Sequence, residues 1–132
     1  MGASFTVRLF NVSTSCMAGC AVPEVSWEDF EKVEMRVGVI RTVEDFPRAR
    51  KSSYRLTIDF GPLGIRRSSA AIQPFYAKDD LVGRQVICVT NFPPKRIADF
   101  VSEVLTLGVV EHGGRVVLLQ PDQQAEIGGR IG

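Results

Sequence analysis

Residues 54–60, YRLTIDF, alternate without a fault: Tyr54, Leu56, Ile58 and Phe60 fall on one side, and Arg55, Thr57 and Asp59 on the other. A strand of this kind buries one face and wets the other, so it needs a sheet around it and a core beneath it. The neighbouring segments supply the sheet. RVGVIRTVEDF (36–46) is a long β-rich run in which Gly38 marks a bulge or a close backbone approach. IRRSSAAI (65–72) is a shorter strand or loop after the GPLG turn, and QVICVTN (85–91) is apolar on both faces, hence central. DFVSEVLTLGVV (99–110) and RVVLLQP (115–121) are joined by EHGG, a hairpin signal. Helical signals are few. Ser26 caps a short helix in SWEDFEKV with Trp27, Phe30 and Val33 on one face, and PFYAKDDLVG gives one helical turn ending near Gly83. Roughly five or six strands without βαβ alternation predict an all-β fold, a small closed barrel with short helices.

Length and charge narrow the function. One core-bearing domain accounts for 132 residues, and a net charge of +1 means that any nucleic-acid binding rests on a local patch. No run approaches the ~20 apolar residues of a membrane span, so no membrane insertion is expected, and the cysteine usage makes the reduced cytoplasm the expected compartment. Cys88 sits in an apolar run and reads as a small core hydrophobe, while Cys16 and Cys20 could pair or clamp a metal. The lone His112 lies far from them, so neither a metal site nor a catalytic Cys-His or Ser-His pair is expected.

Two stretches carry candidate chemistry. Between residues 48 and 67, Arg48, Arg50, Lys51, Arg55, Arg66 and Arg67 face a single acid, Asp59, making a basic rim for acidic peptide groups or phosphates. NFPPKRIADFVSEV (91–104) holds two prolines that cannot serve a paired central strand. They stiffen the junction, so Asn91, Lys95 and Ser102 are expected at a groove mouth, where an amide can meet peptide main chain regardless of sequence. Phe92 and Phe100 offer apolar surface there, although as aromatics they read more naturally as core.

The order of DFEKVEMRVGVI, FPRARKSSYRLTIDFGPLGIRRSSAAI, LVGRQVICVTNFPPKRI and SEVLTLGV resembles the CsaA family of protein-export chaperones, over residues 24–132. That family is similar to the tRNA-binding OB-fold domains, including the C-terminal domain of methionyl-tRNA synthetases. The resemblance implies a five-stranded OB-fold barrel over 23–132, a homodimer, no catalysis and no cofactor. It also implies a pocket for extended segments of unfolded precursor proteins, with a tRNA-binding module as the alternative. The peptide-binding set is then Arg48, Arg50, Lys51, Ser68, Ser69, Asn91, Phe92, Lys95, Arg96, Phe100, Ser102 and Glu103. The dimer interface is expected at Trp27, Phe30 and Val33, with the segment after Pro121. The chain departs from the pattern at Ala71, where relatives commonly carry Gln, and in residues 1–22. This atypical N-terminal segment is either a stretch added ahead of the natural start or a tethered peptide. Phe5, Val7 and Leu9 alternate as an extended segment with one apolar edge, suited to the groove or equally to a barrel edge.

Overall fold

The computed structural model describes residues 22–132. The chain divides into two units between Lys32 and Val33. In the first, α1 (Trp27–Glu31) starts at Ser26, whose Oγ accepts from the Asp29 N–H at 3.0 Å. This is the expected cap, with Glu28 and Asp29 near the positive end of the helix. The helix is shorter than expected: it stops at Glu31, so Val33 is not on its face with Trp27 and Phe30. The physical reason lies just beyond it, where Glu34 is already committed to strand pairing, its carbonyl accepting from Thr90 N–H at 2.8 Å. The expectations for residues 1–21, including Cys16, Cys20 and the extended 4–11 segment, lie outside the described residues.

The second unit is a strongly curled antiparallel sheet of OB type. Its strands are β1 (Met35–Phe46), β2 (Ser53–Asp59), β3 (Ile65–Ala70), β4 (Gln85–Val89) and β7 (Leu105–Thr106), in the order β3-β2-β1-β4-β7. A 3-10 turn (Gly61–Leu63) joins β2 to β3, and α2 (Lys78–Leu81) lies between β3 and β4. Two small hairpins complete it, β5 (Lys95–Ile97) with β6 (Phe100–Ser102) and β8 (Gly108–Val110) with β9 (Val116–Leu118).

The alternation of β2 is kept: Tyr54, Leu56, Ile58 and the following Phe60 are buried together with Ile40, Ile72, Leu81, Val86, Cys88, Val104 and Leu118. Both readings of β1 are realised, at different residues. A Cβ on Gly38 would stand 2.5 Å from Ile58 Cγ2 and 2.7 Å from the Phe60 ring, so the close approach is at Gly38. The register shift falls between Ile40 and Thr42, leaving Arg41 as the extra residue. Such a bulge bends and twists a strand, which here lets β1 pair with β4 over Met35–Val39 and with β2 over Val39–Phe46. Cys88 is wholly enclosed, and burial pushes its thiol up to about 12.

The run 99–110 is not one strand but three short ones, β6, β7 and β8. Each pairs with a different partner, β5, β4 and β9 in turn, so the chain must bend between them although its composition stays β-like throughout. These bends bring residues 102–106 to the free edge of β3. There Glu103 N–H donates to Arg67 O (2.8 Å), Ser69 N–H to Ser102 Oγ (3.1 Å), Arg67 N–H to Glu103 Oε1 (2.9 Å) and Thr106 Oγ1 to Ser68 Oγ (2.9 Å). This seam closes the sheet on itself.

At the start of β1, the C-terminal segment supplies a further edge: Val37 N–H donates to Gly129 O (2.9 Å), Gly128 N–H to Val37 O (2.7 Å) and Ile131 N–H to Met35 O (2.9 Å).

Candidate functional site: the outer face of β2 and β3

In OB folds, ligands meet the face of the second and third strands and two loops, the one after the first strand and the one before the last. Here those loops are residues 47–52 and 90–104. The structure brings them together, since Arg48 Nη1 reaches Asp99 Oδ2 at 3.3 Å. Asp99 stands at the turn of the β5–β6 hairpin beside Ala98, whose φ of +53° makes the tight reversal.

The outward positions of the sheet follow from register. Arg55 lies opposite Ser69 and Thr57 opposite Arg67, while Glu44 of β1 lies opposite Arg55. Phe46 shares the outward face of β1 with Glu44, yet it is buried, as is Phe100 (3 % exposed each). The two rings meet edge to face with centroids 5.3 Å apart, outside the main core cluster. The 90–104 loop therefore folds Phe100 down onto the outer surface of the sheet. Over that ring stand two guanidinium groups, Arg67 at 4.7 Å and Arg55 at 6.0 Å from its centroid. Arg55 is balanced by Glu44 at 3.5 Å.

The candidate residues thus divide by position. Arg48, Arg50 and Lys51 lie on the first loop; Lys95, Arg96 and Phe100 on the hairpin of the second. Arg50, Lys51, Arg66, Arg67, Lys95 and Arg96 enter none of the ion pairs among the described residues. Ser69, Ser102 and Glu103 line the closing seam, where Ser102 Oγ also donates to Val104 O at 3.3 Å. Ser68 is fully buried and points inward. Phe92 is half-buried where the second loop begins.

Asn91 stands elsewhere. Its Oδ1 accepts from Glu34 N–H at 2.9 Å, at the end of β1 opposite to Arg48. Thr90 Oγ1 donates there to Glu34 Oε1 at 2.6 Å, and Arg36 pairs with Glu34 at 3.0 Å while donating to Gly128 O at 3.1 Å. The Thr90 hydroxyl and then the Arg36 donor hold the Glu34 carboxyl below its ordinary value of 4.5.

Chemically, the arrangement is suited to binding anions. It offers cationic donors with an aromatic support, and among the described residues there is no cluster of His, Cys, Asp and Glu that could hold a metal. No helix among them is long and apolar enough to cross a membrane. The sequence pattern announced the rim; the stacking of Arg67 on Phe100 had no local signal, because the two residues meet only through folding.

Residues 35–130 match a protein family described as "Putative tRNA binding domain". The fold superposes on the CsaA chaperone of Bacillus anthracis with a TM-score of 0.80 and 46% identity, covering 83% of this chain and 100% of that one. The CsaA chaperone of Picrophilus torridus gives 0.77 and 46%, with the same coverage. The methionine–tRNA ligase of Thermococcus onnurineus is 37% identical over 113 residues, which are 86% of this chain and 15% of the ligase. The chain therefore spans only a small part of the curated relatives it matches, a single module within a much larger enzyme. Family profile and full-length structural match agree: the chain belongs to the tRNA-binding-domain family of OB folds, in its CsaA branch.

Proposed function

We propose that this protein is a chaperone that captures extended segments of unfolded polypeptides, including precursors awaiting export, on the outer face of β2 and β3. The observation that carries this reading is the 46% identity running through the whole of two CsaA chaperone chains. The face is suited to loosely specific capture, with hydrogen-bond donors on two adjoining loops and no reacting group, so the role is binding without turnover. Arg50, Lys51, Lys95 and Arg96 are the exposed contacts, Arg48 joins them when released from Asp99, and Phe100 supports the face from beneath. Ser69, Ser102 and Glu103 shape it, and Asn91 with Phe92 sets where the second loop departs.

A second reading is tRNA binding, favoured by the family profile and by the cations that lack counter-charges. The two separate by salt. A phosphate-dominated complex weakens steeply as salt rises, whereas contacts to main chain and apolar groups do not. Titration of a labelled unfolded peptide and of tRNA, each at low and at physiological salt, is the test. Peptide binding that survives salt supports the chaperone; tight tRNA binding with no peptide binding sinks it.

The proposed working form is a cytoplasmic homodimer. Trp27 is 81 % exposed and lies beside exposed Val25, an apolar surface that a second copy would cover. Sedimentation at micromolar concentration that gives 14.5 kDa, the mass of one chain, would end this part of the proposal.

A further inference from the structure

Among the cations of the face, Arg67 is unlike the rest. Its guanidinium stands 4.7 Å over the centroid of Phe100, a ring that is itself buried and braced edge-on by Phe46. Its backbone is pinned on both sides, N–H to Glu103 Oε1 and C=O to Glu103 N–H. The carboxylate nearest to it along the seam is therefore engaged with main chain rather than with the guanidinium. Neighbouring Arg55 has Glu44 and Arg48 has Asp99, but the Arg67 side chain makes no ion pair or hydrogen bond among the described residues. A guanidinium held on an aromatic ring keeps its charge and its forked donors while losing little freedom when it binds.

We infer that Arg67 is the anion-reading residue of the face, and that it selects polypeptide segments carrying an Asp or Glu side chain by donating its forked N–H groups to that carboxylate. The inference rests on the polypeptide reading above. It places selectivity at Arg67 rather than at the more numerous loop cations, because those are exposed side chains with no support beneath them, whose attraction for any anion is diffuse and screened.

The test uses two labelled unfolded peptides of one sequence, differing only in that two central Glu residues are replaced by Gln. Wild type binds the acidic peptide more tightly at physiological salt. Arg67→Ala lowers affinity for the acidic peptide by about tenfold, as expected for loss of a charged hydrogen bond, and leaves the Gln peptide within about twofold. Arg67→Lys recovers only part of the loss, since a lysine cannot offer the planar fork. Arg66→Ala is the control: it removes the same charge from the adjacent residue, which alternates to the other face of β3, and produces the smaller change. Equal losses on both peptides, or equal losses for the two arginine variants, overturn the inference while leaving peptide capture in place. If neither peptide binds wild type, the chaperone reading and this inference fall together. If tRNA binding alone responds to Arg67→Ala, the anion is a phosphate, and the carboxylate assignment is wrong. Unchanged melting temperatures for the exposed Arg67 variants secure each comparison.

Discussion

The two ends of β1 are built on different plans. At the start, around Glu34–Val37, polar groups are matched within the chain: Asn91 and Thr90 hold Glu34, Arg36 reaches Gly128, and the C-terminal segment lies along the edge. Beyond its other end, two loops meet at one exposed ion pair and carry further cations that enter no ion pair among the described residues, and Arg67 of β3 stands over the buried Phe100 ring. One end is occupied by the protein itself, and the other is the one we propose as the binding face. A binding face on a small barrel costs unmatched charge, and the matched end keeps the strand in place while the other end bears that cost.

Disturbing the matched half should have the largest effect. Gly38→Val drives a branched side chain into Ile58 and the Phe60 ring, and is expected to cost about 3 kcal/mol or more by over-packing, read as a lowered denaturant midpoint. Next, Arg36→Ala removes part-buried charged hydrogen bonds and should cost about 2 kcal/mol, visible as faster proteolysis of the C-terminal segment as well as a lower melting temperature. Asn91→Ala takes away the acceptor of Glu34 N–H and should cost about 1 kcal/mol without changing peptide affinity. A variant that keeps its melting temperature and loses peptide would move Asn91 to the binding end and undo the contrast.

Acid provides a milder probe. Glu34 is held below its ordinary value of 4.5 by the Thr90 and Arg36 donors, and Asp59 below 3.8 by the Gly61 N–H and then by Arg41. Both carboxyls are lowered in the fold, so they contribute stability that is full above their ordinary values and is lost as pH falls through the folded ones. Stability should therefore decline below about pH 4.5 from these two groups, and Thr90→Val should flatten the Glu34 part of that decline. The smallest effect belongs to the open end. Arg48 and Asp99 are both largely exposed, so Asp99→Asn should change stability by less than about 0.5 kcal/mol. Its consequence appears instead as tighter binding of acidic peptide, because Arg48 loses its internal partner.

Much of the barrel was legible in local pattern. The period of β2, the EHGG hairpin, the cap at Ser26 and the crowding at Gly38 depend on neighbours in sequence or on a single dominant contact. The splitting of 99–110 was not, because its composition is strand-like throughout and the breaks are set by distant partners. The candidate site was legible as a set of cations and illegible as an arrangement. Asn91 and Lys95 are four residues apart in sequence, yet the Asn91 amide serves the start of β1. Arg66 and Arg67 look identical as text; strand alternation and the position of Phe100 make them different.

The seam between β3 and residues 102–106 is held differently from the rest of the sheet. Elsewhere the sheet is joined by backbone ladders, which any side chain can satisfy. Here the side chains of Ser68, Ser102, Glu103 and Thr106 make three of the links, one of them to the Ser69 N–H, beside main-chain bonds to Arg67 O. Closure is thus encoded in residue identity, at small polar positions that ordinarily tolerate exchange. Alanine at Ser68, Ser102 or Thr106 should each cost about 1 kcal/mol, so a designer diversifying the outer face of β2 and β3 must leave them untouched.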